Sequence, residues 1–92
     1  MVKVSIVITS YNHEDFLEEC IKSATNQSYS QTELLIVDDG SEDKSRDIIK
    51  KYSKNFYKVL LLEENQGACI ALNKILKFLS HFFMSILLVC KS

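Results

Sequence analysis

The sequence predicts an α/β domain with a mainly parallel sheet of about four strands. Short runs of branched apolar residues alternate with longer stretches in which apolar residues recur at helical spacing. Each apolar run leads into a polar loop, and the clearest run, residues 34–37, has no polar interruption, as expected of a strand covered on both faces. Strands and helices that alternate in this way form parallel sheets with right-handed crossovers.

The amino-terminal part predicts one strand and one helix. Residues 2–9 alternate weakly and predict a central strand, which ends in a loop over residues 10–13. A helix follows from Glu14, because two acidic residues suit its first turn and the later apolar residues share one helical face. These apolar residues are Phe16, Leu17, Cys20, Ile21 and Ala24. A polar break over residues 26–31 then leads to the second strand.

The middle of the chain repeats this pattern. A second helix starts near Asp43, and Ile48, Ile49 and Tyr52 lie on its predicted buried side. Residues 59–62 predict a short third strand, which residues 63–67 follow as a loop. Apolar residues at the same helical period predict the third helix. They are Ala68, Ala71, Leu72, Ile75, Leu76 and Leu79.

The last segment predicts a helix end followed by a fourth strand at residues 84–89. Residues 75–90 are strongly apolar, but they include Lys77 and His81, and they fall short of the about 20 residues that span a bilayer. We therefore expect a buried strand here. An interfacial membrane anchor stays open as the alternative.

Composition restricts the classes of function. The 92 residues suit one domain, and 47% hydrophobic with 25% charged residues is ordinary for a soluble globular protein. A net charge of −1 provides no basic patch for nucleic acid. Cys20, Cys69 and Cys90 form no Cys-x-x-Cys pair, which favours reduced thiols in the cytosol. The first residues do not match a cleaved signal peptide, and we expect a cytoplasmic protein.

The candidate functional residues lie beside the ends of the first three predicted strands. They are Thr9 at the end of the first strand, Tyr11 and Asn12 in the loop after it, Asp38 and Asp39 at the end of the second, and Asn65 and Gly67 after the third. Parallel sheets place ligand sites beyond the carboxyl ends of their strands, so these groups should meet at one edge. An aromatic ring can stack on a base, a carboxylate can accept from the imide N–H of uracil, and a glycine before a helix offers backbone N–H groups to phosphate. Together they predict a nucleotide site.

Each of these groups also has a structural interpretation that the residues alone leave open. Asp38 and Asp39 could simply cap the next helix. Tyr11 could anchor its loop, and Asn12 could cap the first helix. Gly67 could only supply a positive φ angle. The prediction of a nucleotide site therefore depends on the groups occurring together.

Three segments carry a wider resemblance. They are Val-Ser-Ile-Val-Ile-Thr-Ser-Tyr-Asn at residues 4–12, Leu-Ile-Val-Asp-Asp-Gly-Ser-Glu-Asp at residues 35–43, and residues 65–73, which begin Asn-Gln-Gly and end Ala-Leu-Asn. In these segments the chain resembles the amino-terminal half of family 2 glycosyltransferases with the GT-A fold. The likeness covers residues 2 to about 76 and fades afterwards. It implies a Rossmann-like, three-layer α/β/α domain over residues 1–92, which is a truncated part of the family's domain.

The resemblance also implies a ligand and residue roles. The family binds a nucleotide-diphosphate sugar, commonly a UDP-sugar, and transfers the sugar with inversion to a saccharide or lipid-linked acceptor, as in cell-envelope polysaccharide biosynthesis. Thr9 and Tyr11 would line the nucleoside pocket, and Asn12 is assigned to the same site. Asp39, together with Asp38, would hold the base. The loop that contains Asn65 and Gly67 would lie beside the nucleotide.

The chain departs from the family where catalysis is concerned. Relatives close the fourth strand with an Asp-x-Asp type motif that holds Mg²⁺ or Mn²⁺ on the donor diphosphate, whereas residues 87–92 here are Leu-Leu-Val-Cys-Lys-Ser. These side chains cannot form an octahedral oxygen shell, so we expect neither a metal site nor a catalytic residue. The acceptor-binding half with its catalytic base is expected to be missing too. Smaller departures are Thr9, where proline is usual, and Leu72, where arginine is frequent.

We therefore expect a glycosyltransferase fragment that binds its donor and is inactive alone. The alternatives are a subunit of a split transferase and a non-catalytic interaction or regulatory domain. An unfinished sheet edge would allow homo-oligomers or a partner chain, and any membrane contact would be peripheral. A phosphoacceptor signalling domain is disfavoured, because Glu63, Glu64 and Asn65 stand where such domains carry a phosphorylated aspartate.

Overall fold

The computed structural model describes residues 4–26, 32–78 and 85–89. In these residues strands and helices alternate along the chain. The strands are β1 (Val4–Ser10), β2 (Thr32–Asp39), β3 (Lys58–Leu62) and β4 (Ser85–Val89). The α-helices are α1 (Glu14–Asn26), α2 (Ser45–Lys51) and α3 (Ala68–Leu76), and a 3₁₀ turn (Ser53–Asn55) follows α2.

The observed bounds lie close to the predicted ones. Helix α1 begins at Glu14, as its acidic first turn indicated. Helix α2 begins two residues later than predicted, because Asp43 stands before the helix and accepts a hydrogen bond from the backbone N–H of Ser45 (2.8 Å). The predictions for residues 27–31, Leu79 and Met84 lie outside the described residues.

The sheet has the strand order β3-β2-β1-β4, and all its described pairings are parallel. Strand β1 is internal, which confirms the prediction of a central first strand. The register places Ser10 opposite Asp38, and Asp39 opposite Leu62. The carboxyl ends of β1, β2 and β3 are therefore neighbours. We call the segments that follow them the first loop (residues 11–13), the second loop (residues 40–44) and the third loop (residues 63–67).

Helices cover both faces of the sheet, which confirms the predicted three-layer, Rossmann-like α/β/α architecture. One core lies between the sheet and helices α1 and α2, and its buried members are Ile6, Ile8, Leu17, Ile21, Ala24, Leu34, Ile36 and Ile49. The other core lies beneath α3, and its buried members are Val7, Leu35, Val37, Leu62, Ala71 and Ile75. Because neighbouring strand residues point to opposite faces, even-numbered residues of β2 face α1 and α2, and odd-numbered ones face α3.

The helices bury narrower stripes than their apolar patterns predicted. In α3 only Ala71 and Ile75 are buried, while Ala68 and Leu76 are exposed. This helix packs mainly on β2 and β1, and Ala71 and Ile75 form the line of its surface that faces the sheet. In the described ranges no helix combines the length and the apolar character needed to cross a bilayer.

Candidate functional site

A cavity of about 180 Å³ opens at the carboxyl ends of β1 and β2, between the first loop and the amino end of α3. We call it the cleft. Its lining residues are Thr9, Ser10, Tyr11, His13, Asp39, Asn65, Gly67, Ala68 and Ala71. Five of the residues selected from the sequence, Thr9, Tyr11, Asp39, Asn65 and Gly67, are thus together, while Asn12 and Asp38 are not among the lining residues.

Strand alternation separates the two adjacent carboxylates. Asp39 follows Leu35 and Val37 on the face that α3 covers, and it reaches the cleft. Asp38 follows Leu34 and Ile36 on the face that α1 and α2 cover, and its side chain is fully buried. The two residues therefore have different surroundings, although the sequence presents them as a pair.

The Asp39 carboxylate binds the third loop. Its Oδ1 accepts from the backbone N–H of Gln66 (2.8 Å), and its Oδ2 accepts from the backbone N–H of Gly67 (3.0 Å) and from Asn65 Nδ2 (3.0 Å). The same Asn65 amide also donates to the Asp39 carbonyl (3.2 Å). The Gly67 N–H, which was expected to be available to a phosphate, thus donates to the Asp39 carboxylate instead. Each carboxylate oxygen has two lone pairs, so Oδ1 keeps one acceptor position among the described contacts.

Two glycines beside Asp39 have positive φ angles. Gly40 has φ 73°, and a β-carbon there would come within 3.0 Å or less of backbone atoms of Glu64 and Asn65. Gly67 has φ 100°, but a β-carbon there would have nothing within 4 Å. The absence of a side chain at Gly40 therefore lets the third loop lie directly against the end of β2. At Gly67, glycine is required only because the φ angle is positive. Gly67 was among the candidate site residues and Gly40 was not, although a glycine directly after two aspartates is the signal of a tight turn.

The buried Asp38 carboxylate stabilises the second loop by accepting hydrogen bonds from it. Its Oδ2 accepts from the backbone N–H of Ser41 (2.9 Å), and its Oδ1 accepts from the Ser41 hydroxyl (2.5 Å). Arg46 lies 3.9 Å from Oδ2 and donates to the Leu62 carbonyl at the end of β3 (2.6 Å). A buried carboxylate needs such partners, since an uncompensated charge is costly.

Asn12 joins the first loop to the second. Its backbone N–H donates to the Ser41 hydroxyl (2.9 Å), and its Oδ1 accepts from the backbone N–H of Glu42 (2.8 Å). Asn12 has φ 50°, a left-handed conformation that asparagine tolerates better than most residues. These contacts give Asn12 a role in loop structure.

The amino end of α1 is capped by the second loop and the first residue of α2, and not by Asn12. Asp43 Oδ2 accepts from the backbone N–H of Glu14 (3.1 Å), and the Ser45 hydroxyl accepts from that of His13 (3.2 Å). Burial raises the pKa of Asp43, but hydrogen bonds from Ser45 and from the Glu14 backbone outweigh it and hold the pKa below its usual value. Asp43 thus bridges the starts of α1 and α2 as a carboxylate, with a partner 29 residues away.

Side chains around the cleft differ in their hydrogen bonding. Tyr11 is 41% exposed at the rim, whereas Thr9 is buried. Ser10 Oγ and His13 Nδ1 are buried and have no hydrogen-bond partner among the described residues. Ser10 stands in the segment of residues 4–12 that carries the resemblance, whereas no motif in the sequence marks His13.

The described residues do not fit a resident divalent metal ion. Mg²⁺ and Mn²⁺ require several oxygen ligands in one shell. In the ranges that the structure covers, no three His, Cys, Asp or Glu side chains lie together in a way that could hold a metal ion.

Comparison with known proteins places these features in a family. The glycosyl transferase family 2 model matches residues 5–87. Bacillus subtilis TuaG, a glycosyltransferase named for a proposed part in teichuronic acid biosynthesis, is 43% identical over 76 residues, which are 80% of this chain and 30% of TuaG. The Escherichia coli UDP-Glc:alpha-D-GlcNAc-diphosphoundecaprenol beta-1,3-glucosyltransferase WfgD is 38% identical over 84 residues, which are 91% of this chain and 33% of WfgD. The chain therefore spans a third or less of the length of these relatives.

Solved structures agree with this placement. Residues 1–349 of Staphylococcus aureus TarS superimpose with a TM-score of 0.81 at 28% identity, over 95% of this chain and 27% of that TarS fragment. TarS has also been solved in complex with UDP and with UDP-GlcNAc. The mannosyltransferase PcManGT from Pyrobaculum calidifontis, solved with GDP-Man and Mn²⁺, has a TM-score of 0.77 at 21% identity, a likeness of fold alone. The predicted GT-A fold is confirmed by these neighbours.

Proposed function

This chain belongs to glycosyl transferase family 2, and from that membership we propose that its cleft binds the nucleotide of a nucleotide-diphosphate sugar, with a UDP-sugar as the donor. The observation that carries the proposal is the meeting of Thr9, Tyr11, Asp39, Asn65 and Gly67 around one cavity. These residues come from the ends of β1 and β2 and from the first and third loops, and they were selected from the sequence for this ligand.

The chemistry of the cleft supports a nucleoside. The Tyr11 ring is partly exposed at the rim and offers a flat surface on which a base can stack. The Thr9 hydroxyl can both donate and accept. The remaining acceptor position of Asp39 Oδ1 suits a base that presents an N–H group, as uracil does.

The size of the cleft indicates which part of the donor it would hold. Its volume of about 180 Å³ is below the roughly 300–1,000 Å³ of pockets that enclose a whole ligand. The proposal is therefore that base and ribose occupy the cleft and that the diphosphate and sugar extend beyond it.

The relatives support uracil as the base. WfgD carries UDP-Glc in its name, and TarS has been solved with UDP and UDP-GlcNAc. We extend this ligand class to the present chain as a proposal. We likewise propose that residues 1–92 are part of a family 2 domain and that they do not transfer sugar alone, because residues 87–92 contain no carboxylate for the donor's metal ion.

Isothermal titration calorimetry of the full chain with UDP tests the proposal. We expect saturable binding of UDP and of UDP-sugars, and a Tyr11→Ala variant should weaken it by about tenfold, as expected for loss of one base-stacking contact. Tyr57→Ala is the matched control, because Tyr57 is 59% exposed and does not line the cleft. No binding at millimolar UDP, or equal effects of the two variants, would overturn the proposal.

A transfer assay tests the second part of the proposal. Incubation of the chain with UDP-sugars and Mn²⁺ should release no UDP above the rate of a protein-free control. UDP release that increases with the concentration of the chain and is lost on substitution of Asp39 would show that the chain is catalytic, and would contradict this part of the proposal.

A further inference from the structure

Asp38 and Asn12 do not line the cleft, yet hydrogen bonds connect both residues to its rim. The series begins at the buried Asp38 carboxylate, passes through Ser41 and ends at Asn12, the residue after Tyr11. We call these three residues the Asp38–Ser41–Asn12 network.

The direction of the hydrogen bonds in the network is fixed. The Ser41 hydroxyl has one proton, and it donates this proton to Asp38 Oδ1 (2.5 Å). Its lone pairs are then left to accept from the Asn12 backbone N–H (2.9 Å). The charge of the buried carboxylate therefore orients the hydroxyl for Asn12, and charge-assisted bonds of this kind are stronger than neutral ones.

A second contact fixes the Asn12 side chain. Its Oδ1 accepts from the Glu42 backbone N–H (2.8 Å), so Asn12 is held at both its main chain and its side chain by consecutive residues of the second loop. These contacts help to keep Asn12 at φ 50°, a left-handed conformation that is unfavourable for most residues with a β-carbon.

The peptide that is held in this way joins Tyr11 to Asn12. Its N–H is the one that donates to Ser41, so its orientation limits where the Tyr11 side chain can lie. Tyr11 itself is 41% exposed at the rim of the cleft, so neighbouring side chains do not enclose it. We propose that Asp38, Ser41 and Asn12 are positioning residues that hold Tyr11 at the nucleotide site, an inference that rests on the proposed function.

The network gives the two adjacent aspartates complementary roles. Asp39 holds the third loop on one side of the cleft through Gln66 and Gly67. Asp38 holds the first loop on the other side through Ser41 and Asn12. One strand end thus fixes both walls of the site.

A double-mutant cycle between Ser41 and Tyr11 tests the inference, with UDP binding by calorimetry as the readout. Ser41→Ala removes the hydroxyl and should raise the Kd for UDP about fivefold, as expected for loss of one hydrogen bond. In a Tyr11→Ala background the same change should have almost no effect, since the residue that it positions is gone. Ser53→Ala, an exposed serine of the 3₁₀ turn, is the control and should leave the Kd unchanged.

A second pair of variants, both at Asn12, distinguishes a positioning role from a loss of folding. Asn12→Asp keeps an oxygen acceptor for the Glu42 N–H and should retain most of the affinity, whereas Asn12→Leu removes it and should lose about as much as Ser41→Ala. Thermal unfolding of each variant shows whether the domain remains folded. A general loss of stability would not depend on Tyr11, so the coupling separates positioning from folding.

The outcomes are distinct from those of the proposed function. If the unmodified chain binds no UDP, the proposed function fails. If it binds UDP but the effects of Ser41→Ala and Tyr11→Ala multiply independently, the nucleotide site stands and the positioning role is overturned. The same conclusion follows if Asn12→Leu binds as tightly as Asn12→Asp.

Discussion

The two faces of β2 differ at its carboxyl end. On one face the buried Asp38 side chain is hydrogen-bonded to Ser41, whereas on the other face Asp39 lines the open cleft. Asp38 is fully buried and its partners lie in the second loop of the same strand–loop–helix unit. Asp39 reaches across to the third loop, 27 residues away at Gln66. Two identical neighbours in the sequence thus differ because a strand turns successive side chains to opposite faces.

The difference shows how the site is built. Short-range contacts at Asp38 stabilise the second loop, and the first loop and the start of α1 donate hydrogen bonds to that loop. Long-range contacts at Asp39 bring the third loop and α3 to the same edge. The cleft lies between these two groups of contacts, so variants on either side should affect it differently.

The largest effect is expected at Gly40, where the second and third loops meet. Gly40→Ala would place a β-carbon within 3.0 Å or less of the Glu64 and Asn65 backbone at φ 73°. Strain and overlap together should lower the free energy of unfolding by about 3 kcal/mol or more. Gly67→Ala is the matched control, because its φ is also positive but its surroundings are open, and it should cost about 1–2 kcal/mol. Urea unfolding measures the free energy of unfolding of both variants. Equal decreases in the two variants would contradict the close approach of the second and third loops.

The next effect is expected at Asp39. Asp39→Asn replaces one acceptor oxygen with an NH₂ group that faces backbone N–H donors of the third loop, so at least one donor loses its partner. Leaving it unsatisfied should cost about 1–3 kcal/mol. Amide hydrogen exchange should become faster at Gln66 and Gly67 and stay unchanged at Ser41, whose N–H donates to Asp38. Faster exchange at Ser41 would mean that the two faces are not independent.

A smaller effect is expected at Asp43, on the Asp38 side of the comparison. The pKa of Asp43 is lower in the folded chain than its usual value, so the carboxylate stabilises the fold above the unfolded pKa, and this contribution is lost as the pH falls through the folded pKa. Asp43→Asn should cost about 1 kcal/mol at pH 7, in the range of other helix caps. The gap between the two proteins should shrink below about pH 4, near the pKa of an unfolded aspartate.

Thermal unfolding of both proteins from pH 7 to pH 2 measures this gap. A gap that stays constant over the whole range would show that the Asp43 charge contributes nothing to the capping of α1 and α2.

The sequence was sufficient for the fold because its periodicities are local. Helix α1 begins at Glu14 and the sheet is parallel, as the alternating runs and the polar loops indicated. That residues of the cleft lie together was also predictable, since Thr9 and Asp39 lie at the carboxyl ends of neighbouring parallel strands and Gly67 follows a third.

Other features depend on contacts that no local pattern contains. The Asp43 cap on Glu14 joins residues 29 positions apart, and the close approach of Gly40 to Asn65 depends on how two loops meet. The sequence grouped Asp38 with Asp39, although alternation along β2 assigns them to different faces. The nucleotide role of Asn12 and Asp38 remains a prediction, and their observed contacts favour an indirect part in it.

The most direct test of the central claim is nuclear magnetic resonance of the ¹⁵N-labelled chain during titration with UDP. The account predicts saturable shifts of the backbone amides that surround the cleft, led by those of Tyr11, Gln66, Gly67 and Ala68. The amides around a second cavity, of about 210 Å³ near Lys22, Thr25 and Asn55, should not move. Shifts confined to that second cavity, or no shifts at millimolar UDP, would contradict the claim that the cleft binds a nucleotide.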